Sequence, residues 1–243
     1  MFPSNIKLAR DTFAKIKKEA ETLRNVQTVI CPPFIYVGDL KKLATGHRLS
    51  LGAQNVWYEN EGAYTGEVSP SQIASLGISY VIIGHSERRA LGETDDLINK
   101  KIIAAIKSGL IVILCVGEEK RDQDGNYLEY IAMQIKIALK GVHKKDLKKI
   151  VIAYEPIWAI GKNALRAASV DDALEVSILI KKTLANLYKK EWEVVSILYG
   201  GSINGKNVNE LLLKSKIDGL LVGRASLDPK MFGEILKSAE RIK

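Results

Sequence analysis

The constraint that rules the rest is an alternation. Seven short aliphatic runs, at 26–31, 49–53, 80–83, 111–115, 150–154, 195–199 and 219–222, are separated by segments of helical character. Most of the runs are rich in Val and Ile and do not alternate strictly with polar residues, which is how a parallel strand reads when both its faces are covered. The helical segments lie near 36–43, 71–76, 95–107, 127–140, 171–188, 206–214 and 229–240, preceded by one at the start of the chain. That first one carries Ile6, Ala9, Phe13, Ile16, Ala20 and Leu23 at spacings of three and four, a single apolar stripe. Pro3 and Ser4 suit its start, and Ser71, Asp171 and Asp228 suit the starts of three others. The pattern predicts an α/β fold of seven strands and eight helices. No linker or low-complexity tract divides it, so one domain over 1–243 is expected.

Two of the strand patterns end in groups that move protons. Tyr80-Val81-Ile82-Ile83 runs into Gly84-His85-Ser86-Glu87-Arg88-Arg89, and Ile150-Val151-Ile152-Ala153-Tyr154 runs into Glu155-Pro156-Ile157-Trp158-Ala159-Ile160-Gly161. Strands that deliver an imidazole and a carboxylate from their C-terminal ends suit acid–base chemistry on a small molecule. A doubly wound open sheet would gather such residues at one switch point; here they follow nearly every strand, which favours a barrel.

Other classes are disfavoured. The net charge of +8 is spread over lysine doublets on several helices and forms no stripe, so no nucleic-acid partner is expected. No apolar stretch reaches the roughly 18 residues of a membrane span, and the N-terminus has no charged-then-apolar leader pattern. Cys31 and Cys115 both end strand-like runs and read as buried thiols of a reducing cytoplasm. His47, His85 and His143 are far apart and have no cysteine nearby, so no metal site is expected.

The His85 hexapeptide and the Tyr154–Gly161 segment resemble the triosephosphate isomerase family. So, in order, do Cys31-Pro32-Pro33, Gly52-Ala53-Gln54-Asn55, Glu61-Gly62-Ala63-Tyr64-Thr65-Gly66-Glu67, Cys115-Val116-Gly117-Glu118, Tyr199-Gly200-Gly201-Ser202 and Leu221-Val222-Gly223-Arg224-Ala225-Ser226-Leu227. The resemblance implies a TIM (β/α)8 barrel. It also implies cofactor-free interconversion of dihydroxyacetone phosphate and D-glyceraldehyde 3-phosphate, in glycolysis and gluconeogenesis. Glu155 would be the base and a neutral His85 the group that polarises the carbonyl, the roles established for this family. Phosphate would rest on Gly161, Ser202, Gly223 and Arg224, whose turns offer backbone N–H groups. Pro156, Ile157, Trp158, Ala159, Ile160 and Gly161 would form a lid that excludes water. Glu87, Cys115 and Glu118 would support the site from behind, and loop 59–68 would dock into a sister subunit of a homodimer.

Three departures stand out. The family's opening strand carries Asn-x-Lys-Met before the first helix, whereas this sequence opens Met1-Phe2-Pro3-Ser4. The barrel is therefore expected to lack its first strand, and turnover to be low without the lysine. The lid reads Ala159-Ile160-Gly161-Lys162-Asn163-Ala164, two residues short of the family pattern, and Arg224 stands where a second glycine is usual. The other reading is a catalytically inactive barrel that binds a phosphorylated metabolite.

Overall fold

The computed structural model describes residues 3–46, 48–160 and 166–242. Seven parallel strands form one sheet in sequence order: β1 Thr28–Ile30, β2 Leu49–Ala53, β3 Tyr80–Ile83, β4 Ile111–Val116, β5 Ile150–Tyr154, β6 Ser196–Tyr199 and β7 Gly219–Leu220. The helices are α1 Ile6–Ala20, α2 Phe34–Leu43, α3 Pro70–Ser75, α4 Ser86–Ala90, α5 Asp95–Lys107, α6 Asn126–Ala138, α7 Val170–Tyr188, α8 Val208–Lys214 and α9 Pro229–Ile242. That makes nine α-helices among the described residues, with four short 3₁₀ segments, and not the eight expected. The additional one, α4, is the turn that follows His85 directly. It is too short to carry an apolar period, so periodicity could not reveal it.

Strand side chains alternate between two apolar layers, which explains the unbroken aliphatic runs. Val81, Ile83, Val112, Leu114, Val116, Ile152 and Ile197 face the helices. Ile82, Ile113, Cys115 and Ala153 form a separate inner cluster, joined by Cys31 after β1 and Leu221 after β7. Residues from both ends of the sheet thus meet in one interior, so the sheet curls on itself. No ladder joins β7 to β1 among the described residues. The helical layer does close there: α1 packs against both α9 and α2. Its stripe is buried at Ala9, Phe13, Ile16, Ala20 and Leu23, while Ile6 in the first turn stays exposed. Each large apolar side chain so buried contributes about 1.5–3 kcal/mol. The start of α1 is capped by Asn5, whose side chain accepts the Leu8 N–H, and not by Ser4. Likewise Ser69 and Ser169, two residues ahead of Ser71 and Asp171, cap α3 and α7. Cys115 is buried, but Cys31 is only partly so, because it lies just past the short edge strand β1. No helix among the described residues is long and apolar enough to cross a membrane.

Candidate active site

β3 and β5 flank β4 in the sheet, and their ends bring His85 and Glu155 together across seventy residues of sequence. His85 Nε2 lies 2.9 Å from Glu155 Oε1. The other carboxylate oxygen, Oε2, accepts the Ser86 N–H at 2.9 Å. Glu155 is buried, while His85 keeps about a quarter of its side chain exposed (28%). The imidazole therefore offers an open flank beside a shielded base.

His85 is held at its other nitrogen as well. It caps α4, and Nδ1 accepts the Glu87 N–H at 3.2 Å. A ring nitrogen that accepts carries no proton, so the neutral ring has its proton on Nε2, aimed at Glu155. Burial opposes a second proton, but the hydrogen bond and the charge of Glu155 favour it and prevail, raising the His85 pKa above its ordinary value. Glu87 acts through its backbone: its side chain is 73% exposed, and its carboxylate stands 3.9 Å from Nδ1.

Glu155 is held by close packing that only glycine allows. A Cβ on Gly117, just past β4, would come within 1.8 Å of the Glu155 carbonyl oxygen. The Gly117 N–H donates to the buried Gln134 side chain of α6 at 2.9 Å, and the Glu155 N–H donates to Val116 O at 2.8 Å. On the other side, a Cβ on Gly200 would stand 3.1 Å from Glu155 Cγ. Cys115 lies beside the same carboxylate; burial first and then that negative charge push its thiol pKa well up, so it stays a neutral neighbour.

The start of the expected lid is anchored. The buried Trp158 donates from Nε1 to Glu118 Oε1 at 2.7 Å, and that oxygen also takes the Tyr154 hydroxyl and Arg121 Nε, each at 2.9 Å. Arg121 and Arg166 lie over the Trp158 ring, 5.1 and 4.5 Å from its centre. Both also bind Asp172. Burial opposes the Asp172 charge, yet the bonds from Arg166 and Ser169 hold its carboxyl well below the usual range. Pro156 and Ala159 are buried, and Ile157 and Ile160 partly so. Gly161 and the shortened stretch after it lie outside the described residues.

Ser202 and Gly223 follow the neighbouring strands β6 and β7 and are exposed, as is Arg224. The Ser202 turn is fastened by Asn207, whose side-chain N–H donates to Ser202 O at 2.8 Å. Gly223 precedes a four-residue 3₁₀ turn, Arg224–Leu227, and its carbonyl accepts from Ser226 N–H and Oγ. Loop 59–68 stands out from the body, with residues 59–67 all exposed.

Sequence reasoning named His85 and Glu155, which the fold brings together, and missed what fastens them. The Ser86 N–H, Gln134 and Arg121 had no signal in the sequence, because each acts through a contact made only when distant elements pack. Tyr154 had a faint one, an aromatic residue with a hydroxyl ending an aliphatic strand.

A family model described as triosephosphate isomerase matches residues 1–239. A triosephosphate isomerase of Thermoanaerobacter sp. (strain X514) is 43% identical over 240 residues, covering 97% of this chain and 94% of that protein. One from Dictyoglomus turgidum is 46% identical over 232 residues, 94% of this chain and 92% of that protein. A third, from Dictyoglomus thermophilum, is 47% identical over 215 residues, covering 87% and 86%.

Proposed function

This chain belongs to the triosephosphate isomerase family, and we propose that it interconverts dihydroxyacetone phosphate and D-glyceraldehyde 3-phosphate through the His85–Glu155 pair. The 2.9 Å contact between the two side chains carries this reading. An arriving substrate takes the place each group now gives the other. Its carbonyl oxygen accepts the proton on His85 Nε2, and its adjacent carbon faces the freed carboxylate. Glu155 then removes a proton from that carbon, the carbonyl becomes an enediolate oxygen stabilised by the imidazole N–H, the hydroxyl proton passes from one oxygen of the enediolate to the other by way of His85 Nε2, and the carboxylic acid returns its proton to the neighbouring carbon. No redox partner is needed, since one carbon is reduced as the other is oxidised.

Phosphate is assigned to backbone N–H groups of the Ser202 and Gly223–Arg224 turns, with Gly161 from the lid. Gly200 supports this, since it packs on Glu155 and begins the same turn as Ser202. Arg224 keeps the backbone N–H that glycine would supply. The lid from Pro156 to Gly161 excludes water that would weaken the base; its Trp158 anchor is the support for a defined hinge.

Turnover of the sequence as written is proposed to be low. Among the described residues, the side chain paired with Glu155 is the neutral imidazole of His85; without an ammonium beside it, the charge that develops on the enediolate rests on that N–H alone. Loss of one preorganised charge of this kind costs on the order of 10²-fold in rate. A homodimer through loop 59–68 belongs to the same reading. The support is a loop bearing Glu59, Glu61 and Glu67 on a chain of net charge +8, an acidic projection that a basic face of another copy would receive. So do cytoplasmic residence and a place in glycolysis and gluconeogenesis.

The test is a coupled isomerase assay on the wild type and on Glu155→Gln. The variant should lose about 10³-fold or more in kcat/KM; equal rates would overturn the mechanism. An N-terminal extension ending in Asn-x-Lys should raise kcat/KM by about 10², and the same extension with alanine for lysine should not. If both extensions raise it equally, the electrostatic account of low turnover is withdrawn.

A further inference from the structure

A second concave site lies away from the His85–Glu155 pair, between the turn that leads into α8 and the exposed face of α9. Its volume is about 460 Å³, and Gly205, Lys206, Glu234, Lys237, Ser238 and Arg241 line it. The helix contributes residues at spacings of three and four, so Glu234, Lys237, Ser238 and Arg241 run along one stripe facing the turn.

The charges in this groove are unevenly satisfied. Lys237 pairs with Glu19 of α1 at 2.8 Å. Lys206 and Arg241 pair with no acid among the described residues, although a Glu or Asp neutralises most of the arginines of the active-site side. Glu234 lies against Gly205, where a Cβ would be 3.4 Å from its Oε2. Three cations and one acid therefore share a cavity of the size that holds small ligands. The turn is rigid: Asn204 Oδ1 accepts the Lys206 N–H at 2.9 Å, and Asn207 Oδ1 accepts the Asn204 N–H at 2.9 Å.

We propose that this groove binds a small organic anion carrying two or more phosphate groups, bridged between Lys206 on the turn and Arg241 on α9. Two groups are required because the free cations belong to two separate elements, and a single phosphate would leave one of them unmet. Arg241 supplies a planar fork that suits a phosphate oxygen pair, and Lys206 a point charge. Ser238 adds a hydroxyl donor, and Glu234 repels the anionic ends and so sets which way the ligand lies. The site shares the turn that Asn207 fastens to Ser202, but it does not depend on the isomerase reading.

Calorimetric titration of the protein with inorganic tripolyphosphate tests the proposal. The wild type should bind, and Lys206→Ala/Arg241→Ala should weaken binding about tenfold or more. Both side chains are exposed, so the double variant should melt with the wild type. Lys144→Ala/Lys148→Ala removes the same charge elsewhere and should bind as the wild type does. Three results would overturn the proposal: no binding by the wild type, equal weakening in both double variants, or binding lost in Ser202→Asp but kept in Lys206→Ala/Arg241→Ala. The last would place the anion in the substrate site.

Discussion

The sheet has a strong side and a weak side, and the candidate site straddles them. On the strong side Val112–Val116 run in register with Ile150–Tyr154, and Tyr80–Ile83 with Ile111–Leu114, every strand paired on both edges. On the weak side β7 is two residues long and β1 three, and among the described residues β7 pairs only with β6 and β1 only with β2. Most residues of β4 and β5 are buried, and those of β7 are all partly exposed. His85 and Glu155 rise from the strong side. Gly223 and Arg224 follow the weakest strand. The proposed proton transfer, which tolerates little misplacement, would thus stand on the most fully paired part of the sheet, while the turns proposed to hold phosphate approach an edge. Around that edge the outer layer does what the strands do not: α1 meets α9, and Glu19–Lys237 ties them at 2.8 Å.

The contrast breaks first at Gly117. Gly117→Ala would drive a Cβ into the Glu155 backbone, where no rotamer change relieves it. Overpacking of this kind should cost about 3 kcal/mol or more in denaturant unfolding and remove most isomerase activity. Gly38, in α2 on the weak side, has nothing within 4 Å of where a Cβ would stand. Gly38→Ala should therefore stabilise, by about 0.5–1 kcal/mol. A mild Gly117→Ala would mean that the strong side is softer than its register implies.

Amide exchange sharpens it next. Native-state exchange should be at least about 100-fold faster for Thr28–Ile30 and Gly219–Leu220 than for Val112–Val116 and Ile150–Tyr154. Equal protection would mean that the helical ring alone makes the two sides cooperative.

The two sides were also unequally legible in the sequence. The bounds of β2, β3 and β5 follow the aliphatic runs to the residue. The run at 219–222 outlasts β7 by two residues, and the run at 26–31 extends past both ends of β1. Hydrophobicity reports what is buried, and pairing needs a partner; at the edge the two diverge. His85 and Glu155 were legible because each ends a strand. What holds them, such as the Ser86 N–H and Gly117 against Glu155, depends on register between strands, which no local pattern carries. Helix stripes were read well and helix starts unevenly: Asp228 does cap α9, but Ser4, Ser71 and Asp171 do not cap theirs, because a capping side chain is chosen by backbone geometry among several polar candidates.

The strong side makes a pH prediction. His85 should titrate above the ordinary 6.5 in an NMR experiment, because Glu155 outweighs burial. The pair's contribution to stability is then full below pH 6.5 and lost as pH rises through the raised value. Glu155→Gln removes the attraction and leaves the burial, so His85 should titrate lower in the variant. An unchanged or higher value would show that some other group holds the imidazole.

The smallest effect concerns the seam itself. The Glu240 carboxylate on α9 accepts the N–H groups of Arg24 and Asn25, at 2.8 and 3.0 Å, in the turn between α1 and β1. These bonds, Asn25 first, hold the Glu240 carboxyl below its ordinary 4.5. A depressed carboxyl stabilises the fold above its unfolded value and stops doing so as pH falls through the folded one. Glu240→Gln should therefore lower Tm slightly at neutral pH, and the difference from the wild type should close as pH falls from 4.5 through the lowered folded value. Exposure and salt keep the effect small. Its location is the informative part. If this tie helps the helical layer span the gap between β7 and β1, the variant should speed exchange at Val29 and Ile30 and leave Val112–Val116 unchanged. Faster exchange on both sides would mean that the seam and the strong side unfold as one unit, and the distinction between them would be one of pairing without being one of stability.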